Sequence, residues 1–94
     1  MKILIYQIDL YLQASHSLKE KRGILKSFQN HIRKKFNVSI AEIDYQDVWQ
    51  SSQIGIVMTA NEKKVLNTAL TEIQKFIENN FQNIIIVKEE IEFL

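Results

Sequence analysis

The 94 residues predict an α+β fold in which a four-stranded antiparallel sheet carries two helices on one face. Residues 2–12 alternate with a period of two, three later segments are strand-like, and two segments between the strands repeat apolar residues at helical spacing. The resulting order, β-α-β-β-α-β, is the ferredoxin-like split βαβ pattern, in which right-handed crossovers place the first and third strands at the centre. Length and composition predict a single domain over residues 1–94.

The first strand is predicted over residues 2–12. One of its faces takes Leu4, Tyr6, Ile8, Leu10 and Leu12, and the other takes Ile3, Ile5, Gln7, Asp9 and Tyr11. Periodicity alone does not decide which set faces the helices. If Ile3, Ile5 and Tyr11 lie on the helix-free face, they favour association through the sheet, for instance in a homodimer.

The first helix is predicted to begin after Ser17, which can form a capping box with Glu20. Its apolar residues recur at helical spacing as far as Phe36, with Ile24 at the edge of the stripe, and comprise Leu18, Leu25, Phe28, Ile32 and Phe36. The helix is therefore expected to run to about Phe36.

The second half of the chain is predicted to form two strands, a helix and a last strand. "VSIAEIDY" and a shorter, more buried "IGIVMTA" are expected to pair as a hairpin across residues 46–53. Asn61 is the predicted cap of a second helix with a broad apolar face. The segment "IIIVKEEIEFL" is the expected last strand, and it becomes acidic toward its end.

Charge is distributed unevenly along the chain. The net charge is +1, yet the segment from Ser15 to Phe36 holds seven cations and one carboxylate, for a local charge of +6, and the remainder carries −5. On a helical wheel four of these cations share one stripe beside the apolar arc, namely Lys19, Arg22, Lys26 and Arg33. Lys21 falls inside the apolar arc, and its ammonium is expected to reach past the sheet edge into water.

We interpret this helix as an anion-binding surface. Exposed amides at its N-terminus, surrounded by His16, Lys19, Lys21 and Arg22, would hold a phosphate. The cations continuing to Arg33 would follow a nucleic-acid backbone. The alternative is a solvated basic face, or one that is neutralised by carboxylates of a neighbouring subunit such as Glu89, Glu90 and Glu92.

Other candidate chemistry is weaker. Glu42 and Asp44 are expected on one face of a strand, with Asp47 after them. Exposed positions on an edge strand are favoured over a Mg²⁺ or Ca²⁺ site, so neither a metal nor a cofactor is predicted. Trp49 would either stack a base or plug the open end of the core, and we favour the plug.

Several classes of site are disfavoured or excluded by composition. His16 and His31 have no close partner in sequence, so capping and surface roles are expected. The chain contains no cysteine, which excludes disulfides and thiolate chemistry. No stretch approaches the roughly 18 apolar residues of a membrane span, so we expect a cytoplasmic location and no membrane partner.

The segments "SHSLKEKR", "FNVSIAEIDYQDVWQ" and "IGIVMTAN" resemble the YlxP-like family of small bacterial proteins, a domain of unknown function. The positions that match its motifs are Ser17, Leu18, Lys19, Lys21, Arg22, Phe36, Asn37, Ala41, Glu42, Asp47, Trp49 and Gln50. The resemblance implies a ferredoxin-like α+β domain and a gene neighbourhood often shared with transcription, translation-initiation and ribosome-maturation factors. It implies no catalytic activity.

Together these observations predict a non-enzymatic accessory protein that contacts RNA or the ribosome through its first helix. The predicted phosphate ligands are Lys19, Lys21, Arg22, Lys26 and Arg33, with His16 and Trp49 as possible accessory residues. The second hypothesis is a homodimeric protein-interaction module that uses the helix-free sheet face. A third, weaker one is a metal- or anion-dependent enzyme that uses Glu42, Asp44 and Asp47.

Overall fold

The computed structural model describes residues 1–94 and has the predicted order of elements. These are β1 (Lys2–Leu12), α1 (Leu18–Lys35), β2 (Ser39–Asp44), β3 (Ser51–Ala60), α2 (Lys63–Asn80) and β4 (Ile84–Phe93). The strands form one sheet in the order β2-β3-β1-β4, and every neighbouring pair is antiparallel. The central position of β1 and β3 confirms the ferredoxin-like topology.

The core lies between the sheet and the two helices. The even-numbered side chains of β1 from Leu4 to Leu12 are almost completely buried there, and the odd-numbered set lies on the helix-free face. This settles which face of β1 meets the helices. α1 contributes Leu25, Phe28 and Ile32 to this core. α2 contributes a broader face, made of Leu66, Leu70, Ile73 and Ile77. The helical spacing of these residues is what brings them to one side of each helix.

The second hairpin differs from the sequence-based expectation. β3 begins at Ser51 and has 10 residues, whereas β2 has 6, so the prediction of a shorter second strand was wrong. The polar residues at its start are nevertheless paired with β1, and the Gln53 amide donates to Asp9 Oδ1 at 2.9 Å. Strand pairing continues there because β1 extends past the apolar part of β3.

The helix caps are partly as predicted. The Ser17 hydroxyl accepts a hydrogen bond from the Glu20 backbone N–H at 3.1 Å, which is the N-cap half of the predicted box. α2 instead begins after Glu62, whose side chain makes no capping hydrogen bond. The prediction that Asn61 caps this helix was therefore wrong, because the N-cap position is one residue later and has no side-chain hydrogen bond.

Candidate nucleic-acid interface

The basic stripe, defined as Lys19, Arg22, Lys26 and Arg33, lies on the flank of α1 that faces away from α2. The opposite flank of α1 meets α2 and the segment after it, since the His31 ring packs edge-on against Phe81 and the Lys35 ammonium lies over Phe76. On the stripe side, Arg33 donates to the backbone carbonyl of Ile40 on the edge strand β2 at 3.3 Å. The stripe therefore runs along the β2 edge of the molecule.

The cations of the stripe have no carboxylate partner within the chain. All four residues are exposed, and the ion pairs within 4.0 Å are Lys21–Glu42 and Lys88–Glu90. The Arg33 guanidinium donates to the amide oxygens of Gln29 and Asn30 as well as to Ile40. These acceptors are neutral, so they orient the guanidinium without cancelling its charge. The flank thus presents uncompensated positive charge.

Lys21 departs from its predicted role as a phosphate ligand with its ammonium in water. Its side chain is 2 % exposed, and its ammonium lies 2.9 Å from Glu42 Oε2. The ammonium also donates to the backbone carbonyls of Tyr45 and Val48, the latter at 2.6 Å. The reason is that the β2–β3 loop, residues 45–50, folds against the first turn of α1, so Lys21 meets loop carbonyls where water was expected. Lys21 therefore positions this loop and is not available to a phosphate.

The acidic residues of β2 also differ from expectation. The pairing of β2 with β3 shifts between Glu42 and Asp44, so Glu42 lies opposite Ile54 and Asp44 opposite Gln53. Ile54 is buried against the helices and Gln53 is not, so the two carboxylates do not share a face as predicted.

Each of these carboxylates has a hydrogen-bonded role within the chain. Glu42 is only 20 % exposed, and beside its ion pair it accepts a bond from the Ser52 hydroxyl at 2.7 Å. Asp44 accepts from the Tyr45 backbone N–H at 2.7 Å. The structure brings together no group of three His, Cys, Asp or Glu side chains that could hold a metal ion.

Trp49 does not plug the core, contrary to the favoured prediction. Its side chain is 43 % exposed, and its ring lies 6.2 Å from the His16 ring, centroid to centroid, at a tilt of 57°. His16 is itself exposed and precedes the N-cap of α1. The loop around Trp49 is therefore held at the end of the molecule where the basic stripe begins.

The edge strand β4 carries Glu89, Glu90 and Glu92, and Glu89 meets Tyr6 of the neighbouring strand β1. Burial, reinforced by a 2.6 Å hydrogen bond to Glu89 on β4, raises the pKa of the Tyr6 phenol well above its usual value. Glu89 thus faces an interior partner, and Glu90 pairs with Lys88 on the same strand. The edge strand β4 is therefore rich in carboxylates, and the basic stripe lies at the opposite edge of the sheet.

The fold and this surface define a small α+β domain of the ferredoxin-like class with an unpaired cationic helix flank. The family model described as "Protein of unknown function (DUF503)" matches residues 3–90, and the chain belongs to this family. It is also similar to the uncharacterized protein YlxP of Bacillus subtilis (strain 168), with 41 % identity over 63 residues that span 67 % of this chain and 68 % of that protein. Neither helix is both long and apolar enough to cross a lipid bilayer.

Proposed function

We propose that this protein is a non-enzymatic, cytoplasmic accessory factor that binds the phosphate backbone of RNA, free or within the ribosome, through the basic stripe. The observation that carries the proposal is the set of exposed cations on one flank of α1 with no carboxylate partner in the chain. Cations left unpaired in this way keep their full attraction for an external polyanion.

The dimensions of the stripe suit a nucleic-acid strand. Lys19, Arg22 and Lys26 are three and four residues apart, so their side chains are neighbours on the helix surface. Arg33 extends the row to 14 residues beyond Lys19, which is about 21 Å at about 1.5 Å per residue. A row of this length runs beside several consecutive phosphates. Contacts of this kind position a strand without reading its sequence.

A charge-reversal experiment tests the proposal. A triple variant, K19E/R22E/K26E, is compared with a matched control, K34E/K64E/K75E, which changes the net charge equally at exposed lysines outside the stripe. Filter binding to a ribosomal RNA fragment is measured at two salt concentrations. We expect the stripe variant to lose nearly all binding and the control to retain most of it. Equal losses in the two variants would refute a localised site.

A sedimentation experiment addresses the ribosome directly. Cell lysate is centrifuged through a gradient at low and at high salt, and the protein is followed in the subunit fractions. We expect it to travel with ribosomal subunits at low salt and to be released at high salt, because phosphate contacts weaken as salt rises. If it stays at the top of the gradient in both conditions, ribosome association is refuted, and free RNA is left as the ligand.

A homodimer through the helix-free sheet face is the second candidate function. The observation that favours it is the apolar side chains on that face, with Ile3 and Ile5 half-buried and Val57 39 % exposed. Light scattering tests it with V57E and a matched control, V65E, which places the same change on an exposed valine of α2. We expect a dimer that V57E dissociates and V65E preserves. A monomer at all concentrations would contradict this candidate.

A further inference from the structure

We infer that the RNA ligand is single-stranded, and that one of its unpaired bases stacks on Trp49 while the adjoining phosphates contact Lys19 and Arg22. This inference rests on the proposed function, since it names the class of RNA that the same surface takes. Three observations carry it: the exposure of the β2–β3 loop, the way that loop is held, and its position beside the stripe.

The β2–β3 loop presents large apolar side chains to solvent. Tyr45 is 39 % exposed, Val48 46 % and Trp49 43 %. Single exposed hydrophobic residues are common, but three within five positions form a local apolar surface. The chain has one tryptophan, and the fold places its large ring in this loop at the surface, outside the core. A partner with flat apolar faces would bury such a ring.

The loop is held in place at several points by interior and backbone contacts. The buried Lys21 ammonium binds the carbonyls of Tyr45 and Val48. Tyr45 has a φ of 65°, a left-handed conformation that is uncommon for a residue other than glycine. On the far side of Trp49, the Gln50 carbonyl accepts the Leu12 backbone N–H at 2.8 Å. Trp49 is therefore presented by a pre-organised backbone, which lowers the entropy lost when a ligand binds.

The same contacts bring the loop to the start of the basic stripe. Lys21 bonds to the loop from the first turn of α1, and Lys19 and Arg22 lie at the same end of the helix, on a different side of it from Lys21. The Trp49 ring also lies against His16, three residues before Lys19. An aromatic platform next to a row of cations is the arrangement that sequence-tolerant single-strand binders use, with bases stacked and phosphates neutralised. A duplex offers its phosphates but keeps its bases stacked inside, so it would use the stripe alone.

The single tryptophan gives a direct readout of stacking. The full chain is titrated at low salt with a single-stranded oligouridylate, with a duplex RNA of the same length, and with inorganic polyphosphate, while Trp49 fluorescence is recorded. We expect marked quenching by the single strand and little change with duplex or polyphosphate, although all three bind through the stripe. Equal quenching by polyphosphate and by the single strand would overturn the inference, because polyphosphate has no base.

Affinity measurements on variants complete the test. Loss of one stacked base should weaken single-strand binding roughly 5- to 150-fold in W49A and leave duplex binding unchanged. W49F, which keeps a ring, should recover most of that loss. The matched control is Y11A, which removes a similarly exposed aromatic residue from the helix-free face. Circular dichroism verifies that each variant is folded.

The failures of the two proposals are distinguishable. If K19E/R22E/K26E weakens binding of both RNAs while W49A changes neither, phosphate binding stands and the stacking platform is refuted. If W49A weakens single-strand and duplex binding by the same factor, the platform is likewise refuted, because a loss of stacking cannot affect a closed duplex. If the triple reversal changes nothing, the proposed function itself fails.

Discussion

Replacement of Lys21 by methionine tests the role that the structure gives this residue. Methionine keeps the length and much of the volume of the stem but removes the ammonium and its three bonds. The variant leaves the Glu42 carboxylate, which is 20 % exposed, with the Ser52 hydroxyl as its remaining side-chain partner. It also removes the ammonium donor from the carbonyls of Tyr45 and Val48, of which the Tyr45 carbonyl keeps the Val48 backbone N–H at 3.0 Å. The expected consequence is a loss of stability and release of the loop.

The magnitude follows from burial. Removal of one partner from a fully buried ion pair costs about 3–5 kcal/mol. Glu42 is partly exposed and keeps one hydrogen bond, so the cost should fall below that range, at about 2–3 kcal/mol. For a domain of this size, each kcal/mol lowers the melting temperature by about 4–8 °C, so the expected decrease is roughly 8–24 °C.

Thermal and urea unfolding followed by circular dichroism measure the effect, with Lys26→Met as the matched control. Lys26 is exposed and unpaired, so its replacement should change stability by less than about 0.5 kcal/mol. The double variant K21M/E42Q should recover part of the loss, since it removes the carboxylate left without its cation. Equal stability of K21M and K26M would refute the reasoning, because it would mean that the buried ion pair contributes nothing.

Binding of duplex RNA by K21M and K26M, measured at a temperature at which both variants are folded, separates a positioning residue from a phosphate ligand. K26M should weaken duplex binding, and K21M should leave it unchanged. Tyr6→Phe tests the raised phenol pKa. The Tyr6 phenol ionises above about pH 10 in the unfolded chain but stays neutral in the folded protein. The free energy of unfolding of the wild-type protein should therefore be constant relative to Y6F below about pH 10 and fall by about 1.4 kcal/mol per pH unit above it. Denaturant unfolding at several pH values measures this difference. Gly23→Ala should stabilise the protein by about 1 kcal/mol, since an added Cβ meets nothing within 4 Å. Ser17→Ala should destabilise it by about 1 kcal/mol, because the N-cap hydrogen bond of α1 is lost. Thermal unfolding measures both changes.

Periodicity explains why most of the fold was predictable. The strict alternation over β1 set its bounds and its two faces, and helical spacing placed the basic stripe on one flank of α1. The crossover rule then left one arrangement of the four strands. These inferences succeeded because each depends on many residues that share one pattern.

The parts that failed depend on single residues and on distant backbone. The ammonium of Lys21 binds carbonyls that are 24 and 27 residues away in sequence. They lie in a loop in which the left-handed backbone position is occupied by Tyr45, whereas a glycine there would have indicated the turn. The pairing of β2 with β3 shifts between Glu42 and Asp44, so one of these carboxylates lies on the opposite face of the sheet from the one expected. No residue pattern in the sequence predicts this shift. One signal was available: a lysine inside an apolar arc needs buried acceptors, and those acceptors could have been sought in the loop that contains Trp49.

The salt dependence of RNA binding tests the central claim most directly. The affinity of the full chain for a single-stranded RNA is measured over a tenfold range of salt, beside a variant in which Lys19, Arg22 and Lys26 are all replaced by glutamine. Three or four phosphate contacts predict a slope of log affinity against log salt of about −2 to −3 for the wild-type protein. The variant should show a slope no steeper than about −1. The same slope in both proteins would contradict the account, since it would place the phosphate contacts elsewhere on the molecule.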